Sequence, residues 1–189
     1  MNPIYLDYNA TTPIDKEVAE TMKPFLDEMF GNPSSGHYYG ILTKEAVFTA
    51  RDQVASLIGS KPDEIIFTSG GTESNNLAIK GIAFANKNKG NHIITSSVEH
   101  PAVTEVCRYL AVNGFQITYL PVDKYGLVEP ADVAKAITPK TILISIMHAN
   151  NEVGTIQPIE EIGEIAARAG IIFHSDGAQS MGKVEVNVN

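Results

Sequence analysis

Glycines, hydroxyls, an imidazole, carboxamides and a carboxylate recur in this chain at one kind of place, just after an apolar run that reads as a strand. The first case is 64–77, E-I-I-F-T-S-G-G-T-E-S-N-N-L. There β-branched and aromatic residues give way to Gly70-Gly71, and then to Thr72-Glu73-Ser74 ahead of Leu77, Ala78, Ile79 and Ile82 at helical spacing. A helix that starts there leaves backbone N–H groups unpaired and turns the positive end of its dipole outward, which makes an anion site. Two glycines let the backbone come close to a phosphate, and Thr72 and Ser74 add hydroxyl donors. The same residues also suit an ordinary strand-to-helix turn with a Thr cap. The loop fits neither G-x-x-x-x-G-K-[ST] nor G-x-G-x-x-G, so the kind of phosphate has to come from elsewhere in the chain.

The elements that must position these groups alternate. Strands are predicted at 65–69, 92–97, 116–120, 141–147 and 171–175, with helical patterns at 72–84, 102–112, 131–137 and 159–169. Ahead of them, Val18, Met22, Phe25, Leu26 and Met29 give a helical face that stops near Gly31-Asn32-Pro33. A loop over 31–40 holds His37, and a second helix is predicted over 43–58. Strands that are nearly all apolar suit a sheet covered by helices on both faces, so the predicted class is α/β with a mostly parallel sheet. In such sheets ligands sit beyond the carboxyl ends of the strands. Those ends read Gly70-Gly71-Thr72, Val98-Glu99-His100, His148-Ala149-Asn150-Asn151 and Asp176-Gly177-Ala178-Gln179, with 121–123 less distinctive. They predict one rim that joins a phosphate cradle, an imidazole, carboxamides and a carboxylate.

Bulk properties narrow the ligand. The 189 residues are 43% hydrophobic and 19% charged, enough for one sizeable core. A formal net charge of −8 with scattered Lys and Arg argues against nucleic-acid or anionic-membrane partners. No run approaches the length of a membrane span, and the start M-N-P-I-Y-L-D-Y lacks the pattern of a signal peptide. The single cysteine, Cys107, excludes an internal disulfide framework and fits a reducing cytoplasm. Its place among Val103, Val106 and Leu110 reads as a small buried hydrophobe rather than a nucleophile. His100, His148, His174 and Asp176 match no metal-ligand spacing, so no metal is expected, and His148 and His174 read as structural. Pyridoxal 5′-phosphate would use every group on the rim. A helix terminus takes its phosphate, a flat ring stacks on its face, a carboxylate pairs with its pyridine nitrogen, and amides reach its phenolic oxygen.

The runs Y-L-D-Y-N-A-T-T-P, G-N-P-S-S-G-H, F-T-S-G-G-T-E-S-N-N-L-A-I-K-G, E-H-P-A-V, H-A-N-N-E-V-G-T-I-Q-P-I and H-S-D-G-A-Q-S-M-G-K closely resemble the cysteine desulfurases of the NifS and IscS group. The resemblance extends over essentially the whole chain and implies the first half of a fold-type I, class V aminotransferase-like enzyme. Such an enzyme takes sulfur from L-cysteine, releases alanine and feeds iron–sulfur cluster assembly as a homodimer. It further implies that residues 1–14 are an arm belonging to the small domain and that 15–189 belong to an incomplete cofactor-binding large domain. Carried over by position, Gly71 and Thr72 cradle the phosphate and His100 stacks on the ring and takes a catalytic part. Asn151 and Gln179 reach the phenolic oxygen, and Asp176 pairs with the pyridine nitrogen.

The resemblance also implies a Schiff-base lysine in an S-G-H-K-type motif beyond D-G-A-Q, and a loop cysteine that carries the persulfide. The 189 residues hold neither, Lys183 lying in the stretch before that motif. Turnover by these residues alone is therefore not expected. Selenocysteine lyase is a rival of the same fold, and a non-catalytic binding or regulatory module is a rival of another class.

Overall fold

The computed structural model describes residues 3–188. These fall into two compact units, one running to Ile66 and taking in the stretch from Glu185, the other Phe67–Val184.

In the first unit, Asp15 caps α1 (Lys16–Met22), its carboxylate accepting from Glu17 N–H at 2.8 Å. The single helical pattern read across Val18 to Met29 is split, because Pro24 has no N–H to continue the ladder and the chain restarts as α2 (Pro24–Asp27). α3 (Tyr38–Ile58) begins earlier than the apolar periodicity predicts. His37 supplies its N-cap, with Nδ1 accepting from Gly40 N–H at 3.4 Å, and Gly59 ends it in the left-handed conformation at φ 72°. A short 3-10 turn, Pro62–Glu64, follows. The strand predicted over 65–69 is not formed. Ile65 is extended, but Ile66 is 71% exposed and Phe67 is 50% exposed. An apolar β-branched run can favour extended backbone, yet a strand exists only through a ladder partner.

The second unit is a parallel sheet in the order β2-β1-β3-β4, built from β1 (His92–Ser96), β2 (Gln116–Leu120), β3 (Thr141–Ser145) and β4 (Ile172–His174). Four helices accompany it: α4 (Gly71–Ala85), α5 (Pro101–Val112), α6 (Pro130–Ala136) and α7 (Ile159–Ala169). One face buries Ile93 and Leu143 against Ile79 and Ala83 of α4 and Val103, Val106, Cys107 and Leu110 of α5. The other buries Ile94, Ile144 and Ile146 against Val133 of α6 and Ile162 and Ala166 of α7. Burial of this kind stabilises by roughly 25 cal/mol per Å² of apolar surface removed from water. The helix after β1 therefore covers one face and the helix after β3 covers the other. The carboxyl ends of these neighbouring strands open at a point where the connections diverge, the place where an open α/β sheet leaves a crevice.

At the opposite, amino-terminal end, His92 is buried and bridges Thr141 and Thr118 at 2.7 and 2.8 Å, and burial lowers its pKa. It ties β1 to both neighbours and faces away from that crevice.

Candidate active site

Three strand ends and one helix start meet at the crevice. α4 begins at Gly71, and its N-cap is Gly70, with φ 154° and ψ 179° and no capping side chain. That backbone region belongs to glycine, and a Cβ at either Gly70 or Gly71 would meet nothing within 4 Å. The helix end is thus open, with the positive pole of α4 uncovered. Thr72 lies exposed in its first turn. Glu73 does not occupy the opening. Its carboxylate folds back onto the Ser69 hydroxyl and N–H at 2.6 and 2.7 Å, and these bonds hold its pKa below the usual value.

One turn further on, α4 presents Asn75 to the sheet on the same stripe as Ile79 and Ala83, and Asn75 is only 4% exposed. Its Nδ2 donates to Asp176 Oδ2 at 2.8 Å across 101 residues of sequence. Asp176 Oδ1 accepts from Ala178 N–H at 3.0 Å, and its backbone oxygen accepts from His148 N–H at 2.9 Å. The carboxylate after β4 is thereby fixed to α4, and the backbone that carries it is fixed to the loop after β3.

His100 follows β1 and caps α5, whose first residue is Pro101. Its Nδ1 accepts from Ala102 N–H at 3.1 Å and the residue is exposed, so the cap holds the ring while leaving it accessible. In the neutral ring this bond assigns the proton to Nε2. Asn151 is half-buried on the neighbouring loop, with Nδ2 donating to the Glu152 carboxylate at 2.6 Å. Gln179 is half-buried after β4 and accepts from Lys183 Nζ at 3.2 Å. Gly71, Thr72, Asp176 and the Asn75 bridge thus belong to one hydrogen-bonded end of the sheet, and His100 stands on the adjoining strand end. The Asn151 and Gln179 amides lie on loops of the same rim but are turned onto neighbours.

Two buried carboxyl and amide groups knit these loops together. Glu99, 7% exposed, accepts through Oε1 from the Ser96 hydroxyl at 2.7 Å and from Met147 N–H at 2.9 Å. Asn150 donates to the Val98 carbonyl at 3.0 Å and accepts through Oδ1 from the N–H groups of Glu152 and Val153 at 2.9 and 3.0 Å. Burial pushes the Glu99 carboxyl up to about 7, outweighing the bonds from Ser96 and Met147, and the charge of Asp176 adds to the rise.

Burial disfavours the charged form of the histidines beside the site. His174 is bonded to the Ser145 hydroxyl at 2.8 Å, and desolvation lowers its pKa against the pull of Asp176. His148 is lowered by desolvation as well. Cys107 is buried in the α4/α5 core, where burial pushes its thiol up to about 12, far from the range of a nucleophile. Sequence reasoning missed Asn75 and Glu99. A polar residue at the position where the Ile79 and Ala83 stripe of α4 begins was a signal that could have found Asn75.

An uncapped helix N-terminus, an accessible imidazole and a tethered carboxylate stand at one end of the parallel sheet of an α/β protein. The sequence pattern of the Aminotransferase class-V family matches residues 4–189, and the chain belongs to that family. It is 61% identical over 186 residues to a cysteine desulfurase IscS of Dictyoglomus turgidum, covering 98% of this chain and 47% of the relative. Identity is 57% over 185 residues to a cysteine desulfurase IscS of Methanosarcina thermophila, with 98% and 46% covered. Among solved structures, one described as SspA in complex with cysteine superposes with a TM-score of 0.94 at 47% identity, covering 97% of this chain and 53% of that one. A NifS-like protein superposes with a TM-score of 0.94 at 41% identity, covering 98% and 51%. The chain spans about half the length of the curated relatives it matches.

Proposed function

We propose that these residues form the cofactor-holding part of a pyridoxal 5′-phosphate-dependent cysteine desulfurase. The whole protein would take sulfur from L-cysteine, leave L-alanine, and pass the sulfur on as an enzyme persulfide for iron–sulfur cluster assembly or thiolation. The observation that carries the reading is the 2.8 Å Asn75–Asp176 bond, which fixes a carboxylate beside the uncapped start of α4.

The chain's own atoms fit the group. Open space around Gly70 and Gly71 leaves room for a phosphate at the helix pole, with the backbone of Gly71 and the hydroxyl of Thr72 as its donors. Asp176, held by Asn75 and Ala178, keeps its aim and would pair with the ring nitrogen. His100, held by its cap, offers its ring face, and its Nε2–H would be the donor toward the ligand. Asn151 and Gln179 would reach the phenolic oxygen by exchanging Glu152 and Lys183 for it. When bound, the cofactor supplies an electron sink for charge developing at the substrate Cα.

The same proposal takes L-cysteine as substrate, supported by the names of the relatives and by the cysteine in the SspA structure. It also takes a sulfur-acceptor scaffold as partner, a homodimeric cytoplasmic protein, residues 1–14 as an arm of the small domain and 15–189 as part of the large domain.

The test is a titration of pyridoxal 5′-phosphate into the chain and its Asp176→Ala and Asn75→Ala variants, followed by absorbance and equilibrium dialysis. Saturable binding weakened at least about tenfold by Asp176→Ala, and less by Asn75→Ala, is the expected result, since hydrogen bonds to charged groups contribute roughly 1.5–3 kcal/mol. Equal binding by all three chains, or none by the parent, overturns the reading.

A further inference from the structure

We propose that Glu99 is a positioning residue for this site. It acts as a neutral carboxyl that clamps the His100 loop after β1 onto the loop after β3 that carries Asn151. The inference rests on the reading of that rim as the ligand site and extends it to a residue that touches no ligand.

Its geometry is specific. Glu99 Oε1 takes two hydrogen bonds, one from Ser96 at the end of β1 and one from Met147 N–H beyond the end of β3. The latter joins residues 48 apart in sequence at the place where the two loops leave the sheet. The second bond of the clamp has its donor on the same side, running from Asn150 Nδ2 to Val98 O, but here the side chain comes from the loop after β3 and the backbone from the loop after β1. His100 and Asn151 each follow directly on a member of this pair, so any slip of one loop against the other moves both.

The remaining oxygen decides the form in which Glu99 works. Oε2 is buried and has no hydrogen-bond partner, and none of the ion pairs among the described residues involves Glu99. An ionised carboxylate needs compensation on both oxygens, whereas a carboxylic acid does not leave a bare charge. The titratable groups around it add no positive charge. Asp176 beyond β4 raises its pKa, the Cys107 thiol on α5 is itself pushed up by burial and then by Glu99, and His174 and His148 are lowered by burial. Each carboxyl receives two hydrogen bonds, but those of Asp176 are shared between its two oxygens whereas both of those on Glu99 fall on Oε1, which leaves Oε2 bare.

The experiment is hydrogen exchange read by mass spectrometry on the chain without cofactor, over peptides spanning 97–103 and 147–152. It compares the parent with Glu99→Gln, Glu99→Asp and Glu99→Ala at pH 6 and pH 8, corrected for the intrinsic pH dependence. Glu99→Gln keeps an acceptor at Oε1 and carries no charge, so it should protect both peptides at both pH values as the parent does at pH 6. The parent should lose protection between pH 6 and pH 8, by no more than about tenfold per pH unit until the pH passes its raised pKa near 7 and levelling off beyond it. Glu99→Ala and Glu99→Asp, which lose or shorten the reach to Met147, should be unprotected in both peptides at both pH values. Protection in Glu99→Gln that matches Glu99→Ala, or a parent indifferent to pH, overturns the proposal. A chain that fails to bind pyridoxal 5′-phosphate leaves the exchange result standing, so the two readings fail separately.

Discussion

The two units of this chain use similar apolar material to opposite effect. In the unit Phe67–Val184, Ile79, Ile93, Leu143 and Ile144 are fully buried, because a parallel sheet gives each helix a surface to cover. In the first unit, Phe25, Leu26, Phe30, Tyr38 and Leu57 are between 43% and 77% exposed. An open groove of about 620 Å³ lined by Phe25, Met29, Phe30 and Val47 lies there. Helical periodicity alone does not make a core, since a stripe needs an opposing surface. Every candidate ligand residue, Gly71, Thr72, His100, Asn151, Asp176 and Gln179, falls in the unit that has one. A site that must hold groups to a fraction of an ångström belongs on the packed element.

Removing a core side chain breaks this contrast most directly. Leu143→Ala should cost about 3–4 kcal/mol, the usual range for a fully buried leucine, whereas Leu57→Ala, at a position 57% exposed, should cost less than about 0.5. Denaturant midpoints with unchanged slopes would read both. Equal losses would mean that the first unit has a core of its own under solution conditions.

A slightly smaller effect separates two carboxyls within the packed unit. Glu99 has its pKa raised from 4.5 to about 7 in the fold, so the folded state holds a proton that the unfolded chain has given up over that interval. The stability it contributes is fully present below about 4.5 and is lost as the pH rises through about 7, a fall on the order of 3 kcal/mol across the window. Glu73, exposed and held below its usual pKa by Ser69, acts in the opposite direction and is screened by solvent. Thermal melts of the parent and Glu99→Gln from pH 5 to pH 8 should therefore diverge, the parent losing stability relative to the variant as the pH rises, while the buried histidines affect both chains alike. Parallel curves would show that Glu99 ionises freely and is not held in the environment described.

The sheet of the second unit and its four helices were legible from alternation and punctuation. Apolar β-branched runs gave β1, β2 and β3 to within a residue or two, Gly70-Gly71 marked the start of α4, and helical spacing gave α5, α6 and α7. The class of the fold followed, and so did the idea that strand ends converge. Pairing was not legible. Residues 65–69 carry the composition of a strand and no ladder partner, and β4 is shorter than the strand predicted over 171–175. Nor was the support of the site legible, because Asn75 and Glu99 matter through partners 101 and 48 residues away. As sequence, Asn75 is a polar residue in a helix and Glu99 an acid in a turn. Only the fold reveals that each is buried and which atom it holds.

The smallest predicted effect tests whether the open helix end is a property of the backbone or of the space around it. Gly70 sits at φ 154° and ψ 179°, a conformation that an L side chain reaches only with strain, though a Cβ there would touch nothing. Gly70→Ala should therefore destabilise by about 1–3 kcal/mol through the backbone alone. Gly71 lies one residue inside α4 with equally free surroundings, so Gly71→Ala should be neutral or stabilise by up to about 1 kcal/mol from helix propensity. On stability the two neighbours thus move in opposite directions. On ligand binding they should move together, because a methyl at Gly71 stands where a phosphate would approach the helix pole, and strain at Gly70 turns that pole away. Calorimetric melts give the first comparison and titration with pyridoxal 5′-phosphate gives the second. A Gly71→Ala chain that gains stability and loses affinity would show an opening kept for a ligand against the preference of the helix itself, whereas one that gains stability and binds unchanged would place the phosphate elsewhere.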